Sequence, residues 1–287
     1  PNKTGSAPGQ MLVIAGRSKK TVVLLPGPYC ELRPIFEHQV LPYLKKNYAK
    51  GSASQSLTVH LTGISESLAD EKLKPVIDSA GPQARFTILS LSGQVDFHAA
   101  LTAPSRAQAE RGLKALRDGI YKAVGSYIFG EQKQTLEEVV GKRLKAEAMT
   151  LAAAESCTAG MLAARITAVP GSSDYFLGGV VAYSNDLKMS LLNVAASTLA
   201  KHGAVSGQCS EEMAEGVRRL CGASLGLSIT GIAGPGGGSK AKPAGLVFIG
   251  LSGPGRTVSH KVLRLAGDRE AVRQRAVAAA LSLLLRR

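Results

Sequence analysis

Between residues 154 and 238, three glycine-punctuated polar segments each close or interrupt an apolar run. They are Ala-Glu-Ser-Cys-Thr-Ala-Gly at 154–160, Val-Pro-Gly-Ser-Ser-Asp-Tyr-Phe-Leu-Gly-Gly-Val-Val-Ala-Tyr-Ser-Asn at 169–185 and Thr-Gly-Ile-Ala-Gly-Pro-Gly-Gly-Gly at 230–238. Short buried strands that end in such loops, with amphipathic helices between them, restrict this part of the chain to a layered α/β arrangement. In that arrangement the loops after strands carry the chemistry. Loops this rich in hydroxyls and backbone N–H groups suggest a site for an anionic ligand and an attacking oxygen.

The pattern predicts three regions. Residues 135–287 form the α/β domain, with helices expected over 135–148, 158–167, 210–221 and 269–285 and strands over 150–155 and 225–230. A hairpin is expected over 245–251 and 257–265, and Asp268 has the position of an N-cap. Residues 56–130 read as a small β-α-β-β-α module: strand 56–62, helix 65–80 with Leu68, Leu73, Val76 and Ile77 inward, strands 85–91 and 97–102 joined at Ser92-Gly93, and helix 107–124. Residues 1–46 hold one strand (21–25) and one helix (31–44), too little to close a core. A linker rich in Gly, Ser and Lys is expected at 47–56.

A chain of 287 residues has room for more than one domain. No apolar run approaches the roughly 18–20 residues that span a bilayer; the longest, 276–285, ends in Arg286-Arg287. The N-terminus is polar and shows no signal segment, so the cytoplasm is the expected location. It begins with Pro1, as a piece of a longer protein would. Cysteines at 30, 157, 209 and 221 have no C-x-x-C spacing and no His cluster, so no metal is expected. The net charge of +14 fits an anionic partner or a solvated basic surface. The Lys and Arg residues are scattered rather than gathered in one stripe, which favours the surface.

Each loop leaves two readings open. The glycines at 231–238 are a flexible loop or a cradle in which N–H groups converge on a phosphate, with the Thr230 hydroxyl as a further donor. The segment matches neither the P-loop nor the Rossmann fingerprint. Ser156 or Thr158 caps a helix or presents a hydroxyl to a substrate, Ser156 as nucleophile included. Tyr183 and Lys188 are a core aromatic and a surface lysine, or part of a Ser–Tyr–Lys constellation in which a lysine of lowered pKa replaces the usual histidine base. Arg269 and Arg273 share a helix face and either pair with Asp268 and Glu270 or grip a phosphate.

These segments, with His-Gly-Ala-Val-Ser at 202–206, resemble the C-terminal domain of the CinA family, the nicotinamide-nucleotide amidase domain known as PncC. The likeness runs over 135–287. Residues 56–130 resemble the family's KH-like middle domain, and residues 1–46 the end of its molybdopterin-binding-like first domain. The resemblance implies a layered α/β amidase domain preceded by a small α+β domain and the remnant of a third. It implies hydrolysis of the carboxamide of nicotinamide mononucleotide to nicotinate mononucleotide and ammonia, without a cofactor, in a homodimer or other homo-oligomer. Ser173 is assigned as nucleophile, Tyr183 and Lys188 as the pair that activates it, and Ser156 as a stabiliser of the oxyanion. Thr158, Gly179, Thr230, Gly231, Ala233, Gly234, Gly236, Arg269 and Arg273 are assigned to substrate binding. Ala159 stands where the family has Gly, and Gly207-Gln208 where it has acidic residues. A membrane is not an expected partner. Nucleic acid is the alternative one, but the G-x-x-G loop of a KH domain is missing between residues 57 and 118.

Overall fold

The computed structural model describes residues 2–3, 5–14, 20–48, 51–254 and 256–287, and the chain divides into two bodies. The first comprises the described residues of 1–55 with 101–113. Here β1 (Gln10–Ile14) pairs antiparallel with β2 (Lys20–Leu24). The helices α1 (Tyr29–Ile35) and α2 (Leu41–Tyr48) follow, joined by a π-helical stretch. Ile35 and Val40 are buried, but Met11, Leu12, Val13 and Ile14 are exposed. Strand β1 was not among the expected elements, although 11–14 is an apolar run. The expected linker is shorter than 47–56, because β3 (Ala53–Thr62) begins inside it; Ala49 and Lys50 lie outside the described residues.

From β3 the chain passes through α3 (Glu66–Ser79), β4 (Ala84–Leu91), β5 (Gln94–Ala103), α4 (Arg106–Val124) and β6 (Ile128–Glu131). The strand order is β4-β5-β3-β6, and β6 pairs antiparallel with β3. The sixth element, β6, completes a ferredoxin-like β-α-β-β-α-β unit. It is only four residues long, too short for alternation to reveal. Leu68, expected inward, is 38% exposed, and Ala69 takes its place in the core. Ser65 caps α3 through the Leu68 N–H.

The rest is a three-layer α/β/α domain built from α5 (Leu136–Ala146), β7 (Leu151–Glu155), α6 (Met161–Thr167), β8 (Phe176–Val181), α7 (Asn185–Leu192), α8 (Ala196–His202), α9 (Gly207–Cys221), β9 (Leu225–Gly231), β10 (Leu246–Gly253), β11 (Arg256–Arg264) and α10 (Arg269–Leu285). Its sheet has the order β11-β10-β9-β7-β8. Strand β7 lies parallel to both β8 and β9, and β10 and β11 complete the sheet antiparallel. Alternation along the strands sorts the two faces. Leu151 and Ala153 join Leu227 and Ile229 under α5, α6 and α10. Ala152 and Ala154 face Leu192, Met213 and Val217 of α7 and α9. Helix α9 lies so close to the sheet that a Cβ on Gly226 would strike the Ala214 carbonyl oxygen at 2.0 Å.

The chain leaves β7 for β8 on one side and reaches β9 on the other. The C-terminal ends of these three strands therefore share one edge at a switch point, where open α/β sheets bind ligands.

Candidate active site

Strand β7 is buried along its whole length, yet it ends in the carboxylate of Glu155, 1% exposed. That carboxylate accepts from Gly160 N (3.1 Å), Leu162 N (3.0 Å) and Ala163 N (2.9 Å). A negative group on the first N–H groups of a helix satisfies orphan donors and complements the dipole. Glu155 thus does the capping that one of the two readings gave to Ser156 or Thr158, and α6 starts at Met161, behind Gly160 at φ +92°. Glu155→Ala leaves one buried and two part-buried donors without an acceptor. The expected loss is about 3 kcal/mol of unfolding free energy, measured by urea denaturation, since bonds to a charged group contribute about 1.5–3 kcal/mol each and do not add fully.

Relieved of capping, Ser156 turns the other way, as alternation requires. Its Oγ lies 3.1 Å from Lys188 Nζ. Lys188 belongs to α7, which Ser184 caps through the Leu187 N–H. The lysine is 1% exposed, and its amine also donates to the carbonyls of Ala182 (2.7 Å) and Tyr183 (3.2 Å). Among the described residues it meets no carboxylate. Burial lowers its pKa below the ordinary lysine range, partly countered by the nearby thiols of Cys209 and Cys157. Burial pushes both thiols up to about 11, so near neutral pH they are uncharged and the lowering stands.

The geometry of the amine sets its chemistry. A neutral lysine has two N–H bonds and one lone pair. With the two carbonyls taking the N–H bonds, the lone pair is left for the Ser156 hydroxyl. That is the disposition of a general base and its nucleophile. Cys157 adjoins Ser156, but its thiol is held in the protonated, weakly nucleophilic form.

A hollow of about 280 Å³ opens on this pair, near the lower end of the volumes that take small molecules. Ser156, Tyr183, Lys188 and Arg269 line it, together with the expected loop residues Thr230, Gly231, Ala233, Gly234 and Gly236. Beyond Ile232, the N–H groups of Ala233, Gly234, Gly236 and Gly237 bond to no protein acceptor among the described residues, nor do those of Cys157 and Thr158 to an acceptor on another residue. Arg269 donates to the Gly234 carbonyl (3.0 Å) and reaches the Tyr183 hydroxyl at 3.4 Å, so it links the glycine loop to the β8 side.

Several assignments made from the sequence are corrected. Ser173 is exposed on the turn that precedes β8, while Tyr183 and Lys188 follow β8. Six strand residues, about 20 Å of chain, put Ser173 at the opposite end of the sheet from the amine. Gly179 is mid-strand, opposite Ala153; a Cβ there would lie 2.6 Å from the Ala153 carbonyl oxygen, so it serves strand approach and not the hollow. The side chain of Thr158 is fully buried outside the hollow, and its hydroxyl has no partner among the described residues. The Thr230 hydroxyl donates to the Ala204 carbonyl (2.8 Å) and so ties the 202–206 loop to β9. Arg273 is held by Glu270 and the Thr158 carbonyl and does not line the hollow. The Tyr183 hydroxyl faces Arg269; only the backbone carbonyl of Tyr183 touches Lys188. Ala204 and Val205 line the hollow and were not assigned, although their motif had been noticed. Ala159 adopts φ +49°, a left-handed conformation that favours glycine.

Comparison with known proteins follows the same division of the chain. A family model described as CinA C-terminal domain matches residues 133–287, and one described as Damage-inducible protein CinA KH domain matches residues 56–130. A protein of Desulforudis audaxviator with the name competence-damage inducible protein is 45% identical over 273 residues, 95% of this chain and 65% of its own length. A CinA-like protein of Dictyoglomus thermophilum is 42% identical over 288 residues, 100% of this chain and 68% of its own. The chain thus spans about two thirds of the length of these relatives. Among solved structures, competence/damage inducible protein CihA from Agrobacterium tumefaciens is 35% identical, with a TM-score of 0.51 over 53% of this chain and 96% of that one. Competence damage-inducible protein A from Klebsiella pneumoniae is 39% identical, with the same TM-score over 53% of this chain and 94% of its own.

Proposed function

The chain belongs to the CinA family, and on that basis we propose that its C-terminal domain hydrolyses the carboxamide of nicotinamide mononucleotide, with Ser156 as nucleophile and Lys188 as base. The observation that carries this reading is the 3.1 Å contact between Lys188 Nζ and Ser156 Oγ, with carbonyls on the other amine protons. The amine takes the serine proton as Oγ attacks the carboxamide carbon. The N–H groups of Cys157 and Thr158 are the nearest backbone donors in sequence for the developing oxyanion, and such donors are worth about 2.7–4 kcal/mol each. Collapse breaks the C–N bond, and Lys188 returns the proton to the departing ammonia. A water molecule then attacks the ester while Lys188 accepts its proton. Collapse of this second intermediate breaks the ester C–O bond, Lys188 passes its proton to the departing Ser156 oxygen, and nicotinate mononucleotide leaves.

The glycine loop after β9 and Arg269 suit the phosphate end of the substrate. Tyr183, 60% exposed at the mouth and in reach of Arg269, suits contact with the substrate body. Assay of ammonia release from nicotinamide mononucleotide by the whole chain tests the reading: turnover is expected, and binding without any release at all pH values rejects it. Because Arg269 binds the ground state and the transition state alike, Arg269→Ala is expected to raise KM about 10–100-fold with kcat within about threefold. A loss confined to kcat would remove Arg269 from phosphate binding.

A further inference from the structure

A second hollow, of about 440 Å³, lies where the β3–α3 loop and the β4–β5 hairpin approach β11 and α10. Part of its wall is apolar, from Ile64, Val95, Leu263, Leu265 and Ala279. Its polar groups are mainly donors. Thr62 is 2% exposed, and its Oγ1 has no hydrogen-bond partner among the described residues. The Nε2 of Gln94 is likewise buried without an acceptor. Lys261 of β11 lines the hollow and makes no ion pair or hydrogen bond among the described residues. Arg275 donates a guanidinium N–H to the Ala266 carbonyl and pairs with no carboxylate among the described residues. Helix α3 starts here, with the Glu66 and Ser67 N–H groups free of acceptors among the described residues. Glu66 is exposed, and among the described residues it makes no ion pair and is the only acidic residue lining the hollow.

Two cations, a helix N-terminus and two buried donors without acceptors call for an oxyanion. The volume far exceeds that of a bare phosphate and lies within the range of organic ligands, and the apolar wall gives such a ligand's body a surface. We propose that this hollow binds a small organic phosphate, its phosphate held by Lys261, Arg275 and Thr62 and its body laid on the apolar wall. The site stands apart from the Ser156 hollow and does not depend on the amidase reading. Helix α10 carries Arg275 here and Arg269 there, so the two sites share one element.

Calorimetric titration of the whole chain with AMP and with inorganic phosphate tests the proposal, with Arg269→Ala as background to weaken the Ser156 hollow. One saturable AMP site is expected to persist in that background and to bind AMP more tightly than phosphate. Its Kd should rise at least tenfold in Lys261→Gln and several-fold in Thr62→Val, and should fall in Glu66→Gln, because an opposing charge is removed. Absence of saturable AMP binding, or a Kd unmoved by Lys261→Gln and Glu66→Gln, overturns the proposal. AMP and phosphate binding equally well overturns the organic part of it. Should Thr62→Val fail to fold, the two substitutions at exposed side chains carry the test.

Discussion

Ser156→Ala is expected to lower kcat for ammonia release from nicotinamide mononucleotide by roughly 10⁴-fold or more, the scale on which a nucleophile's removal acts, while Ser173→Ala stays within about twofold. The contrast follows from the sheet. Ser156 leaves the C-terminal end of β7 and meets Lys188 at 3.1 Å, whereas Ser173 precedes β8 and is exposed at the other end. Neither change should unfold the domain. Ser156 Oγ caps no helix, and its backbone N–H, bonded to the Ile229 carbonyl at 2.9 Å, is untouched. Thermal melts within a few degrees of the parent, with the two rates diverging as stated, would support the assignment. Comparable losses in both variants would sink it.

Lys188→Met is expected to reduce kcat by a similar factor and to abolish the alkaline-rising limb of the kcat/KM profile. A base must be neutral to act, so activity should rise with pH through the pKa of Lys188. Burial lowers that pKa below the ordinary 10.5. The same shift makes a stability statement. Between the lowered folded value and 10.5, the unfolded chain holds more protons on this residue than the folded chain does. Unfolding free energy therefore rises with pH across that window. Lys188→Met removes this contribution to the slope, so parent and variant should differ in pH dependence of stability as well as in rate. Lys188→Arg, charged at every working pH, should be inactive too. An active Lys188→Arg chain, or a profile that falls through this range, would exclude the amine as base.

Much of the architecture was legible because most core elements announce themselves locally, although β8 and α7 were not among those expected. The α10 cap at Asp268, the Ser92-Gly93 hairpin and the β9 run into the glycine loop are short-range signals, and each is present. What failed was long-range. No strand was expected over 176–181, so nothing showed that the turn before it and the lysine after it lie at opposite ends of the sheet, and Ser173 was misassigned for that reason. Glu155 carried a readable signal, a carboxylate closing an otherwise apolar strand, but its role needs the first turn of α6 in space. The exchange of roles between Glu155 and Ser156 turns on strand alternation: one side chain points to α6 and its neighbour to α7. The Thr230 hydroxyl and the Arg273 guanidinium looked available in sequence because their partners, the Ala204 and Thr158 carbonyls, are backbone atoms brought by distant segments.

The most direct test is to quench the chain during incubation with nicotinamide mononucleotide and locate any acyl group by peptide mass mapping. The serine–lysine account predicts an ester on Ser156, absent from the Ser156→Ala chain. An acyl group on Ser173 or Cys157 instead would contradict it.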